Sequence, residues 1–422
     1  MIQELKIKNF LSFKDEVTFS FEASNDNFAE DSQVVKINDN TRLLRFAVVY
    51  GYNASGKSNL LKTFEFLSDF WFAKRDDIDK NTGIIPFKLD KASPNERSSF
   101  ELVFYVDNTK YCYQLELDRN MVYFEKLSYY KTTQPLVLFE RTLENEQSVI
   151  LFKNVKVSSA VKDEILVKCL KNMSFFAARN QVNTSIPLID AVKDWMRNNV
   201  MQSITPSTDL TNYAQRKTLE NDSLVNYILD FLHEADFNIT DIRTKVEERP
   251  IPEELMDMLI HVKDLPERIK NEKTMKQTRT DFEHTVENER GIETYQLSSD
   301  NDEESSGTIR TFGLETALFN AMQRNAFLSI DEIETSLHPK LLEKILFDYL
   351  KTHSRSQILV TTHNDGLLDL VDDLIRKDSV WFTEKTKSGV TDLYKLTDFR
   401  GINRLSSIRE AYRNKRFGAT MG

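Results

Sequence analysis

The sequence predicts a mixed α/β fold: a mixed or parallel sheet carrying a phosphate-binding loop, an N-terminal antiparallel β meander, and an inserted helical subdomain. Three observations predict it. The short apolar run Arg45-Phe46-Ala47-Val48-Val49-Tyr50 opens into a glycine-bounded loop and then a helical stripe, the strand–loop–helix order of a phosphate-binding sheet. Residues 100–131 alternate with period two, as half-buried strands do. Towards the other end, Ala326–Ile330, Gln357–Thr361 and Ser379–Phe382 are short apolar runs separated by helical stretches, the β-α-β rhythm of a parallel sheet.

Taken in order, Ile2, Leu5, Ile7 and Phe10 among polar neighbours and the alternating Val17-Thr18-Phe19-Ser20-Phe21 read as strands, and the run 45–50 as a buried strand. A helix is expected from about Lys57, with Leu60, Leu61, Phe64, Phe66 and Leu67 on its apolar side. The meander is Phe100–Val106, Lys110–Leu117 and Met121–Lys131, turning at Asp107-Asn108 and at 118–120, with Tyr111, Tyr113, Leu115 and Leu117 on one face. After about residue 160 the spacing becomes helical (Ala160–Lys171, Leu188–Val200, Ser223–Ala235). Glu247 to Arg290 is dense in charge, with two strand-like segments, Asp281–Glu287 and Ile292–Leu297, nearby. No heptads are sustained, so any helical projection is expected to be short. The expected organisation is an N-terminal lobe 1–160, a mainly helical insertion 161–290 and a C-terminal lobe 291–422.

Composition narrows the function. Of 422 residues, 40% are hydrophobic and 29% charged, which argues against a fibre or a disordered chain. No apolar stretch approaches the roughly 18 residues of a membrane helix, and the start lacks a signal peptide's apolar core. A cytoplasmic protein with no membrane partner is expected. Two cysteines, Cys112 and Cys169, exclude a disulfide framework or a four-thiolate zinc site. A net charge of -10 argues against coating nucleic acid everywhere but leaves room for a local basic track. Only 11 glycines are present, well under the usual ~7%, so clustered glycines point to a backbone requirement.

Such a cluster is Gly51-Tyr52-Asn53-Ala54-Ser55-Gly56-Lys57-Ser58, the G-x-x-x-x-G-K-[ST] loop between a strand and a helix. Backbone N–H groups there converge on phosphates, Lys57 reaches the β and γ oxygens, and Ser58 offers a hydroxyl to Mg²⁺ at a helix N-terminus that favours anions. Gly51, Asn53, Ala54, Ser55, Gly56, Lys57, Ser58 and Asn59 are therefore the candidate nucleotide-binding residues. Phe327-Leu328-Ser329-Ile330-Asp331-Glu332 is an apolar strand ending in two acids at the sheet edge where ligands bind. Asp331 is a candidate metal residue beside Ser58, and Glu332 a candidate to orient or deprotonate water. Val360-Thr361-Thr362-His363 ends another strand in one of only six histidines, a candidate for the γ-phosphate.

Between the glycine loop and the acidic strand lies Glu304-Ser305-Ser306-Gly307-Thr308-Ile309-Arg310. It resembles the signature loop of ABC-type ATPases, although Ser-Ser-Gly before a helix is also an ordinary N-cap. Glu334-Thr335-Ser336-Leu337-His338-Pro339 resembles the D-loop. The order Walker A, signature, Walker B, D-loop, switch histidine is that of an ABC-type ATPase head. The opening Ile2–Phe13, the Asn-x-Ser-Gly-Lys-Ser loop and the late Arg416-Phe417-Gly418-Ala419 resemble the RecF/SMC-related branch, and more narrowly the AAA-type, OLD-related ATPases of bacterial anti-phage systems. The resemblance covers about 1–70 and 295–422. Ile309 departs from the polar residue expected late in the signature, His338 stands at the D-loop acid position, and Gln181, in Phe175–Gln181, is the one Q-loop candidate, or simply a turn after a strand.

This resemblance implies an ATPase with ATP and Mg²⁺ as cofactors, Lys57, Glu332 and His363 as catalytic residues, and a homodimer unit or higher homo-oligomer in which Ser306 and Gly307 of one protomer complete the site of another. It also implies a separately encoded effector, a nuclease or toxin, because the 59 residues after His363 are too few for the nuclease domain of OLD proteins. The alternative is a DNA-clamping ATPase resembling RecF, with Arg400, Arg404, Arg409, Arg413, Lys415 and Arg416 as its basic track. Basic helix ends also pair with acidic neighbours. A transporter subunit fits least, lacking a full signature and a clear Q-loop. Trp195, Tyr213 and Phe237 are candidate partner contacts, or simply core.

Overall fold

The computed structural model describes residues 1–235, 237–252, 255–256, 259, 274–289, 291–299 and 303–420; the rest of the charged stretch expected at 247–290 lies outside them. The chain divides into two compact units, residues 1–206, 321–335 and 346–422 in the first, 207–320 and 336–345 in the second.

In the first unit, β1 (Ile2–Lys8) and β2 (Val17–Ser20) lead through α1 (Glu30–Gln33) and the hairpin β3 (Val34–Asn38)–β4 (Thr41–Leu44) to β5 (Phe46–Tyr50) and α2 (Lys57–Phe72). The expected meander then appears as β6 (Ser98–Val106), β7 (Thr109–Leu117) and β8 (Val122–Tyr130), and continues into β9 (Pro135–Glu144) and β10 (Gln147–Phe152). Together they form a seven-stranded antiparallel sheet ordered β10-β9-β8-β7-β6-β1-β2. Its inner face carries Phe104, Tyr113, Leu127 and Phe139, all fully buried. Helices α2, α3 (Ser159–Lys168), α4 (Phe175–Arg179) and α5 (Pro187–Asn199) supply the opposing layer: Trp71 stacks on Phe176 at 3.9 Å, Phe175 on Phe139 at 3.8 Å, and Trp195 on Phe104 at 4.4 Å. Trp195 is thus core, not a partner contact. Burying flat aromatic faces in pairs adds to the apolar burial that fixes these helices.

The second sheet of this unit places the site. Its order is β14-β15-β5-β16-β17, with β14 (Phe327–Ile330), β15 (Gln357–Thr362), β5 and β16 (Val380–Lys385) parallel and β17 (Thr391–Lys395) antiparallel at one edge. β5, β14 and β15 are buried at every position, as parallel strands covered on both faces must be. Beyond β14 the segment 200–204 runs alongside in parallel: Met201 N donates to Phe327 O (2.9 Å), Ile204 N to Ser329 O (2.9 Å), and Asp331 N to Ile204 O (2.7 Å). Residues 161–206, expected in the insertion, therefore lie within the first unit.

The second unit combines helices α6 (Thr211–Thr218) and α7 (Asp222–Glu234) with a three-stranded antiparallel sheet, β11 (Ile239–Pro250), β12 (Thr274–Asn288) and β13 (Gly291–Ser298). The mainly helical expectation missed β11, where Ile242, Thr244 and Val246 alternate with Arg243, Lys245 and Glu247 only briefly before a charged run takes over. Helix α8 (Ser306–Arg324) begins in this unit. In the remaining chain, α9 (Pro339–Lys351) precedes β15 and α10 (Ile408–Arg413) follows β17.

Candidate functional site

The loop Gly51–Ser58 joins β5 to α2, with backbone demands that match its residues. Ala54 has φ 64° and Gly56 φ 115°; the latter is left-handed backbone that favours glycine. At Gly51 the constraint is space, since a Cβ would lie 2.4 Å from Ser55 Oγ and 2.7 Å from the Thr383 carbonyl oxygen. The loop is held from behind: Ser55 Oγ lies 2.7 Å from Thr383 Oγ1, Thr391 Oγ1 2.8 Å from Ser55 O, and Asn59 Nδ2 donates to Ser12 Oγ at 2.7 Å. Neither Thr383 nor Thr391 stood out in the sequence, because isolated hydroxyls carry no motif.

Lys57 opens α2, and its ammonium folds back to donate to Gly51 O (2.7 Å) and Tyr52 O (3.3 Å) while lying 3.3 Å from the His363 ring. Burial pushes its pKa down to about 8, against the pull of the carboxylates of Asp331, Glu332 and Glu334. Ser58 Oγ donates to Asp331 Oδ1 at 3.0 Å, and Thr361 Oγ1 donates to the same oxygen at 2.5 Å. Glu332 has φ 47°, its N–H donates to Thr361 Oγ1 (2.8 Å), and its carboxylate lies 3.3 Å from His363 Nε2. A positive φ at a non-glycine residue is a costly conformation that tends to occur at functional sites.

These residues surround an open cleft of about 440 Å³ lined by Asn53, Ala54, Ser55, Gly56, Lys57, Ser58, Asn59, Lys62, Glu332, His363 and Lys385. Two lining residues went unmarked in the sequence, Lys62 in the second turn of α2 and Lys385 at the end of β16. The backbone of Lys385 is fixed by Tyr52, whose hydroxyl donates to Lys385 O (2.9 Å) and accepts from Lys385 N (3.1 Å). For a magnesium ion, the hydroxyl of Ser58 and the carboxylate of Asp331 are the oxygen donors such a hard cation takes, with water and phosphate completing the set.

Other expected residues fall elsewhere. Ser306 and Gly307 open α8 in the second unit; Ser305 caps that helix, accepting from Thr308 N at 3.0 Å. A Cβ on Gly307 would approach Ser336 O at 3.3 Å. Gln181 follows a helix and not a strand: 175–179 is α4, capped by Ser174 Oγ accepting from Ala177 N (3.0 Å), and the Gln181 amide donates back to Ala177 O (3.2 Å). In the basic tail, Arg409 and Arg413 bind Asp365, with Arg409 also 2.6 Å from Asp369. Arg400, Arg404, Lys415 and Arg416 are exposed, and Tyr213 and Phe237 are half-buried. No helix among the described residues is long and apolar enough to cross a membrane.

A family model described as AAA domain, putative AbiEii toxin, Type IV TA system, matches residues 46–167 and 198–369, well over half of the chain. The chain belongs to this AAA family. The glycine loop, the acidic end of β14, Ser306-Gly307 and His363 all fall inside the matched segments. Among solved structures, the SMC head domain from Thermotoga maritima is similar with a TM-score of 0.40 and 13% identity, over 93% of this chain and 98% of that one. A structure of SmcHead bound to the C-winged helix domain of ScpA gives a TM-score of 0.39 at 12% identity, over 98% and 99%. No curated protein matches.

Proposed function

We propose that this AAA-family chain binds ATP with Mg²⁺, hydrolyses it to ADP and phosphate, and dimerises around the nucleotide to act as the sensor or regulator of a separately encoded effector, a nuclease or toxin, in anti-phage defence. The observation that carries the ATPase reading is the convergence of Lys57, Ser58, Asp331, Glu332 and His363, drawn from distant stretches of chain, around one cleft. Lys57 exchanges its bonds to the Gly51 and Tyr52 carbonyls for β and γ phosphate oxygens. Glu332 orients the attacking water and takes its proton, and His363 donates to the γ-phosphate. A magnesium ion held by Ser58 and Asp331 would neutralise charge developing on the phosphates. Ser306 and Gly307 of a second protomer complete the site, as the ABC resemblance implies.

The regulator role draws on the family description, which links such domains to a toxin–antitoxin system. The DNA-clamp alternative rests on exposed Arg400, Arg404, Lys415 and Arg416; it loses Arg409 and Arg413 to the protein's own acids. Phosphate release by wild type, Lys57→Ala and Glu332→Gln tests the chemistry: wild type turns over, Lys57→Ala does not bind ATP, and Glu332→Gln binds with turnover at least about a hundredfold lower. Wild-type behaviour of both variants contradicts the assignment. ATP-dependent co-purification with a neighbouring gene product favours the regulator, while ATP-dependent, salt-sensitive DNA binding favours the clamp.

A further inference from the structure

We propose that Glu334 is a positioning residue for His363, setting the histidine's place in the cleft by holding its backbone; this rests on the ATPase reading above. Three observations converge on it. First, Glu334 Oε1 accepts the backbone N–H of His363 at 2.5 Å, so the histidine that faces Lys57 is tied to the turn that follows the acidic strand. Second, that turn is itself fixed. Ile333 is fully buried and its N–H donates to Thr361 O at 3.1 Å, while Thr335 N donates to Glu332 O at 2.9 Å. The acids on either side of Ile333 meet different parts of one residue: Glu332 lies 3.3 Å from the His363 ring, and Glu334 takes its backbone N–H. Third, Glu334 Oε2 is buried with no hydrogen-bond partner among the described residues. A carboxylate kept in so poorly satisfied a setting calls for a reason beyond packing.

The other side of the histidine is also held. Asn364 N donates to Thr362 Oγ1 at 2.9 Å, and Asp365 is gripped by Arg409 and Arg413 at 2.9 and 2.5 Å. His363 therefore sits on a short span pinned at both ends, and of these ties only Glu334 bonds its own amide. A histidine that must meet a transferring phosphoryl group tolerates little misplacement, so loosening this bond should act on the chemical step more than on nucleotide binding.

The test compares full-length wild type, Glu334→Ala, Glu334→Gln, His363→Ala and the double variant Glu334→Ala/His363→Ala. Glutamine keeps a carbonyl oxygen for the His363 N–H and removes only the charge. The expected result is that kcat falls about tenfold in Glu334→Ala and stays within about threefold of wild type in Glu334→Gln, that Kd for ATP moves less than about twofold in either, and that adding Glu334→Ala to His363→Ala costs nothing more. Multiplicative losses in the double variant, or glutamine as damaging as alanine, overturn the proposal. A second readout needs no catalysis: in the nucleotide-free protein, hydrogen exchange at the His363 amide should quicken at least about tenfold in Glu334→Ala, with β5 amides unchanged. If wild type neither binds nor hydrolyses ATP, the nucleotide reading fails alone and this exchange decides: a quickened amide sustains the proposal and an unchanged one overturns it. Should Glu334→Ala not fold, Glu334→Asp, one methylene shorter, carries the same expectations.

Discussion

Lys57 carries the most exposed consequence of the site's chemistry. Burial lowers its folded pKa to about 8 from an ordinary 10.5. The unfolded chain holds this proton more tightly, so the ammonium burdens folding at pH values below about 8, and the burden lifts as pH rises from there toward 10.5. Nucleotide binding has the opposite requirement, because phosphate oxygens need Lys57 charged. Below about pH 8 the charge is already present; above it, binding must take up a proton. ATP affinity should therefore be flat from pH 6.5 to about 8 and then fall, by up to about tenfold per pH unit, with proton uptake visible when titration calorimetry is repeated in buffers of different ionisation heat. Constant affinity to pH 9.5 would contradict Lys57 as a phosphate ligand. At this scale the sequence was most legible where geometry forces residue identity. Gly51 and Gly56 stand out because one lacks room for a Cβ and the other adopts φ 115°. Lys62 and Lys385 did not stand out, since lysines are common and only the fold brings these to the cleft.

The elements divide by how strongly their local pattern speaks. β6 to β8 and α2 follow from alternation and stripe, since most of their buried positions, Tyr111, Tyr113, Leu115 and Leu117 among them, are apolar. β9 and β10 were missed because the antiparallel sheet continues through half-buried positions of mixed chemistry. One charge pair behind this sheet was invisible too. Glu125 on β8 and Arg141 on β9 are both fully buried and 3.1 Å apart. Arg141 also donates to Met173 O (2.5 Å) and Leu170 O (2.9 Å), while Glu125 accepts from Phe175 N (2.7 Å) and the Tyr113 hydroxyl (2.9 Å). Burial pushes the Glu125 carboxyl up, opposed by Arg141. The pair thus ties the chain entering α4 to the sheet. Arg141→Met removes the partner of a buried carboxylate and strands two carbonyls, so it should cost about 3–5 kcal/mol, read as a lowered urea midpoint. A loss under about 1 kcal/mol would show that the pair does not hold this layer.

In the whole molecule, the glycine loop near residue 51 and the acids near 331 meet because β5 and β14 both flank β15 in one parallel sheet. Motif order made that meeting legible from the sequence, whereas the assignment of 161–206 to the first unit was not, because helical spacing says nothing of which sheet a helix covers. The proposed function requires two chains to share the nucleotide, with Ser306 and Gly307 lent across. Sedimentation equilibrium of Glu332→Gln with and without Mg-ATP tests it most directly. The expected result is a shift from 49.2 kDa to twice that mass when ATP is added, abolished by Ser306→Arg. A nucleotide-bound Glu332→Gln protein that stays at the mass of one chain would contradict it.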